Sequence, residues 1–96
     1  MLRCSMNSAP VSTALQLDLE DVLGSLQHAR RSGDLGRLAL LTYWEVRKWA
    51  RRAHKDALAA LAADVVAKQP FPSRTAFLSL VDEVIREMEQ IRLSQE

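Results

Sequence analysis

The basic stretch 44-WEVRKWARRAHK-55 contains the side chains of this chain that are best suited to bind a ligand. No glycine or proline interrupts it, so it is expected to be helical. On a helical wheel, six of its side chains fall within roughly 140° of one another. They are Trp44, Arg47, Lys48, Arg51, Arg52 and Lys55. Cations on one helix face can contact phosphates, and an indole among them can stack on an unpaired base, so this is a candidate polyanion-binding face.

The same stretch also fits an ordinary helix of a bundle, with one dry side and one wet side. Opposite the cations lie Val46, Trp49 and Ala50, so we expect the Trp49 indole to point into the core. The long Arg and Lys side chains would then cover apolar neighbours, and acidic residues of other helices would neutralise them. The acids available for this are Asp18, Glu20 and Asp21 early in the chain and Asp82, Glu83, Glu87 and Glu89 near its end. The formal net charge of +1 favours this interpretation over a dedicated nucleic-acid binder.

Residues that could support catalysis or bind a metal are sparse and scattered. His28 and His54 are far apart, Cys4 lies in the expected tail, and the sequence has neither a metal-ligand motif nor a glycine-rich phosphate loop. Ser73 and Ser79 have no histidine near them in sequence, and the position of Ser73 favours a helix cap. We therefore predict no enzymatic activity, no metal, no cofactor and no small-molecule substrate.

The composition indicates one all-α domain, residues 13–96, behind a flexible N-terminal tail, residues 1–12. The chain has 96 residues, of which 48% are hydrophobic and 26% charged, with only 3 Gly and 3 Pro. Its single cysteine excludes an intramolecular disulfide and favours a reducing compartment. No apolar run approaches the roughly 18 residues of a membrane span, and the first residues lack the apolar core of a signal peptide. We therefore expect a cytoplasmic protein without a membrane partner.

Local signals place the helices that must position these side chains. Asp18 is the expected cap of the first helix, Gly33 closes it, and Asp34 caps the second. The prolines of 69-QPFPS-73 end the third helix, and Ser73 starts the fourth. Apolar residues at helical spacing thus predict a small bundle of three to four helices over 15–31, 35–54, 56–68 and 74–93.

The long run from Leu35 to Lys68 contains no helix breaker, which leaves two interpretations open. As one helix it would be roughly 50 Å long, too long for a compact domain of this size, and would imply an elongated subunit in a dimer. The apolar stripes of its two halves, however, are out of phase by roughly 110°. A kink or cap near His54 removes this mismatch, and Asp56 would then open the next helix.

Surplus apolar side chains suggest that the bundle is completed by dimerisation. The final helix has an apolar face wider than one neighbour would cover, and Leu40, Leu41, Trp44 and Leu58 lie off the main stripes. A homodimer would bury these groups. The core expected within one chain consists of Leu19, Val22, Leu26, Val46, Trp49, Leu61, Val65, Phe77, Val81, Val84 and Met88.

These observations favour a small intracellular protein-interaction or regulatory module without catalytic activity, acting as a homodimer. The alternative is a nucleic-acid-binding protein that uses the basic face 44–55. A further interpretation is a protein that exists mainly in complex with another protein. The composition permits all three, and no motif identifies the partner.

Overall fold

The chain folds as a bundle of four helices in a computed structural model that describes residues 12–94. Helix α1 is Thr13–Ser32, α2 covers 35–52, α3 is Asp56–Ala67 and α4 is Arg74–Ser94. Within these residues the structure contains no strand, so the predicted all-α bundle is confirmed. The tail predicted for residues 1–12 lies outside the described residues except for Ser12.

The first helix begins earlier than predicted. The Ser12 side chain accepts a hydrogen bond from the Leu15 backbone N–H at 3.2 Å, so Ser12 is the cap and α1 begins at Thr13. The prediction that Asp18 is the cap is therefore wrong, since this residue already lies inside the helix. The other two predicted caps are confirmed: Asp34 accepts from the backbone N–H of residue 37, and Ser73 from that of residue 76, each at 3.1 Å.

Two helices end in the same type of turn. At the end of α1, Gly33 adopts a left-handed conformation with φ 72°, and the Asp34 N–H donates to the Ala29 carbonyl at 3.1 Å. At the end of α2, His54 adopts φ 59°, and the next N–H, that of Lys55, donates to a carbonyl five residues back at 2.8 Å. The break predicted near His54 is confirmed, and α3 begins at Asp56.

A π-helical turn, Leu41–Val46, interrupts α2 between the α-helical segments Leu35–Leu40 and Arg47–Arg52. The fully buried side chains of α2 recur every four residues, at positions 38, 42, 46 and 50. In a regular α-helix each such step drifts by about 40°, whereas the wider π turn keeps all four directed at the core. The buried Thr42 hydroxyl donates to the Leu38 carbonyl at 2.6 Å, which satisfies its polar group beside the change in backbone pattern.

Trp49 anchors α2 in the core, as predicted. It is 2% exposed, and its indole Nε1 donates to the Leu15 carbonyl of α1 at 2.7 Å. The remaining predicted core residues are buried except Val22 and Leu61, which are half-buried at its edge. Both pack against the core cluster, and Leu23 is buried in the core in addition to the predicted residues.

Polar contacts fix α4 antiparallel to α1. Arg30 Nε donates to the Asp82 carboxylate at 2.9 Å, and Gln27 donates to Glu89, further along α4, at the same distance. The Asp82 carboxylate raises the pKa of Arg30 above its ordinary value by accepting this hydrogen bond. These two acids of α4 are therefore committed to α1.

One chain covers most of the apolar surface that had suggested a dimer. Leu41 and Leu58 are buried inside the monomer, whereas Leu40 and Trp44 are 57% and 60% exposed. The apolar face of α4 is also largely covered. These observations remove most of the grounds for homodimerisation. None of the helices within residues 12–94 is long and apolar enough to cross a lipid bilayer.

Candidate interaction surface on the second helix

The outer side of α2 carries a shallow groove of about 280 Å³, here called the Trp44 groove. Trp44 is 60% exposed and Trp49 is 2% exposed, so the two indoles lie on opposite sides of α2. Because the core takes Trp49, Trp44 is left on the solvent side. The side chains that line the groove are Tyr43, Trp44, Arg47, Lys48, Arg51 and Arg52.

Aromatic packing holds the floor of the groove. The Tyr43 ring and the Trp44 indole pack in a T-shaped arrangement, with 5.5 Å between centroids and 77° between the planes. The Arg47 guanidinium carbon lies 5.1 Å from the Tyr43 ring centroid, in a cation–π contact. These contacts place the Trp44 indole and the Arg47 guanidinium against the Tyr43 ring.

Most of the cations around Trp44 have no acidic partner. Arg52 Nη1 lies 3.5 Å from the Asp18 carboxylate, but both side chains are about half exposed, so this ion pair is weak. Among residues 12–94, no carboxylate lies within 4.0 Å of the charged groups of Arg47, Lys48 or Arg51.

The expectation that acids of α4 neutralise the basic face is wrong for the two that are engaged elsewhere. Asp82 pairs with Arg30, and Glu89 accepts a hydrogen bond from Gln27. Of the acids proposed early in the chain, Asp18 contacts the basic face. The three remaining cations of the groove therefore stay available to an external anion.

Acidic residues border the groove on one side. A second depression of about 180 Å³ lies between α1 and α2 and shares Lys48 and Arg52 with the Trp44 groove. Asp18, Asp21 and Glu45 contribute to its lining. The positive surface is thus a patch with an acidic edge, not a stripe that continues across the molecule.

Five of the six predicted face residues line the groove together, and Lys55 does not. The regular helix ends at residue 52, so a helical wheel cannot be extended across the turn to Lys55. Tyr43 was not among the predicted face residues, although its position four residues before Arg47 is the spacing at which an aromatic ring and a cation meet on a helix. Leu40, one helical turn before Trp44, was predicted only as a surplus apolar residue.

The groove offers apolar contact, aromatic stacking and charge-assisted hydrogen bonds. Its lining contains no His, Cys, Ser, Asp or Glu side chain. Among residues 12–94, no three His, Cys, Asp or Glu side chains are grouped closely enough to bind a metal ion. Cys4 lies outside the described residues.

The fold places the chain in the class of small all-α bundles. Comparisons with models of protein families, with curated proteins and with solved structures return no match. The function of the chain is therefore inferred from the chemistry of the described surface.

Proposed function

We propose that the protein is a non-catalytic interaction module that binds another protein through the Trp44 groove. The observation that carries this proposal is the exposed Trp44 indole, held by Tyr43 and surrounded by cations without acidic partners. Trp, Tyr and Arg are the residues most enriched among those that dominate binding energy at protein interfaces. The single cysteine favours a reducing compartment, so we propose that binding takes place in the cytoplasm.

The charge of the groove supports a different protein as the partner better than a second copy. A two-fold symmetric dimer formed through this surface would bring the cationic patches of the two copies together. Like charges that meet in an interface oppose binding. Homodimerisation stays a prediction from the sequence, and the Trp44 groove does not support it.

Nucleic-acid binding through the same groove is the second candidate. It is favoured by the exposed indole beside unpaired cations, which suits base stacking combined with phosphate contacts. The acidic edge formed by Asp21 and Glu45 and the net charge of +1 weigh against it, because a nucleic-acid backbone must pass several phosphates along the surface.

An affinity-capture comparison tests the proposal. The groove variant is Arg47→Gln, Lys48→Gln and Arg51→Gln combined. The matched control variant removes three exposed cations elsewhere, Arg31→Gln, Arg37→Gln and Arg86→Gln, so that both variants lose the same charge. Circular dichroism first confirms that both variants are folded.

We expect the wild-type protein and the control variant to retain a common protein partner that the groove variant loses. If every retained protein binds all three forms equally, the proposal is refuted. The same three proteins are titrated with single-stranded DNA and RNA oligonucleotides at low and high salt. Salt-sensitive binding that only the groove variant loses, without a groove-dependent protein, would support the second candidate instead.

A further inference from the structure

The Trp44 groove changes in chemistry along α2. Its N-terminal end is apolar at Trp44, and Leu40 lies one helical turn earlier on α2, outside the lining of the groove. Both side chains are more than half exposed. Its C-terminal end is basic, with Arg47 and Arg51 one helical turn apart, which is about 6 Å along the axis. A ligand that fits both ends must carry an apolar group and separate negative charges in a fixed order.

We propose that the groove binds an acidic amphipathic helix of another protein, antiparallel to α2. The carboxylates of its first two turns pair with Arg47, Lys48 and Arg51, and a large apolar side chain one to two turns later contacts Leu40 and Trp44. This inference rests on the proposed function and specifies the chemistry of the partner.

A helical partner follows from the spacing of the cations. Carboxylates four residues apart on a helix are separated along the axis by the same distance as Arg47 and Arg51. Binding of an amphipathic helix along a groove is a recurring mode of peptide recognition, in which anchors recur at three- and four-residue spacing. One helix can therefore contact both cations and still present an apolar anchor at the other end of the groove.

The antiparallel orientation follows from where acids are stable on a helix. Carboxylates are favoured in the first turn, where they complement the positive end of the helix dipole. The basic end of the groove lies at the C-terminal end of α2. A partner whose acidic first turns lie there runs in the opposite direction to α2, and its anchor then reaches Trp44.

Other occupants match the groove less well. Residues 1–11 of this chain contain Arg3 and no acidic residue, so they cannot neutralise the cations. A second copy presents the same positive charge. A nucleic acid supplies negative charge, but its backbone would extend across the acidic edge at Glu45.

Designed peptides of about 16 residues, without tryptophan, test the inference by isothermal titration calorimetry. The acid-first peptide carries glutamates in its first two turns and leucine anchors after them. The anchor-first peptide has the same composition in the reverse order, and the glutamine peptide replaces each glutamate of the acid-first peptide. Each is titrated into the wild-type protein, the groove variant and the control variant.

We expect the acid-first peptide to bind the wild-type protein and the control variant alike. Its affinity for the groove variant should be lower by about tenfold or more, because several ion pairs are lost at once. The glutamine peptide should bind the wild-type protein more weakly than the acid-first peptide by a similar factor, for the same reason. The anchor-first peptide should bind several-fold more weakly than the acid-first peptide. In the Trp49→Phe variant, which retains Trp44 as its one tryptophan, the fluorescence should change only when a peptide binds.

Equal binding of the three peptides, or no binding of the acid-first peptide at millimolar concentration, would overturn the inference. Stronger, groove-dependent binding of a single-stranded oligonucleotide than of the acid-first peptide would overturn it too. The proposed function fails separately, when affinity capture finds no protein that depends on the groove. If affinity capture finds a protein that depends on the groove but the acid-first peptide does not bind, only the proposal of an acidic helical partner is refuted.

Discussion

Replacing each tryptophan with phenylalanine tests the two-sided character of α2. Trp49→Phe removes a buried indole and its hydrogen bond to the Leu15 carbonyl at 2.7 Å. Trp44→Phe makes the same chemical change at a side chain that is 60% exposed. The pair therefore compares the inner and outer sides of one helix while the chemistry of the substitution is kept constant.

The structure sets the size of the expected difference. Loss of the Trp49 hydrogen bond costs about 1 kcal/mol. The part of the indole that phenylalanine cannot fill leaves roughly 40 Å³, which at about 24 cal/mol per Å³ costs about 1 kcal/mol more. Trp49→Phe should thus lower the free energy of unfolding by about 2 kcal/mol, and Trp44→Phe by less than about 0.5 kcal/mol.

Urea denaturation followed by far-UV circular dichroism measures both values, and thermal unfolding provides a second reading. For a domain of this size, 2 kcal/mol corresponds to a fall in Tm of about 10 °C. Equal destabilisation by the two substitutions, or a larger effect of Trp44→Phe, would refute the placement of Trp49 in the core.

Three further pairs of substitutions test the local structure, each by the same denaturation measurement. Thr42→Val removes the buried hydroxyl in the π turn and should lower the free energy of unfolding by about 1–2 kcal/mol. Thr75→Val, on the exposed start of α4, should have little effect. Equal effects of the two substitutions would contradict a structural role for the Thr42 hydroxyl. His54→Gly should stabilise the protein by about 0.5–1 kcal/mol, because glycine adopts the left-handed conformation of this residue without strain. Gly33→Ala should destabilise the protein by at least as much, because alanine would be strained at this position. A change of the same sign for both substitutions would contradict the left-handed turns. Ser73→Ala should cost about 1 kcal/mol and Ser73→Asp should cost little, and a loss of stability in both would show that capping is not the reason.

Features governed by local chemistry could be predicted from the sequence. The helices follow apolar periodicity, the first turn follows Gly33, and the last follows two prolines, all within a few residues. The inward direction of Trp49 follows from its place on the apolar stripe. The break at His54 could be predicted although no glycine marks it, because two stripes out of phase require a change of direction.

Features set by tertiary packing could not be predicted in the same way. The π turn of α2 arises because side chains four residues apart all reach the core, which a sequence does not show until the partner helices are placed. Leu41 and Leu58 lie off the simple stripes yet are buried by neighbouring helices. The early start of α1 depends on the Ser12 side chain, which caps the helix and was not among the predicted caps.

The candidate surface was predicted in part. Its residue types and helical spacing identified most of the lining side chains, including Trp44 and Arg47. Which charges remain unpaired depends on how α4 docks against α1, and this docking commits Asp82 and Glu89 to other partners. The exclusion of Lys55 depends on where the helix ends.

Fluorescence quenching by acrylamide in the two single-tryptophan variants tests most directly whether the outer side of α2 is a binding surface. In the free protein, the variant that retains Trp44 should be quenched strongly and the variant that retains Trp49 weakly, since the two side chains are 60% and 2% exposed. Addition of the acid-first peptide should protect Trp44 and leave Trp49 unchanged. Weak quenching of Trp44 in the free protein, or no protection by a saturating peptide, would contradict the assignment of the Trp44 groove as the binding surface.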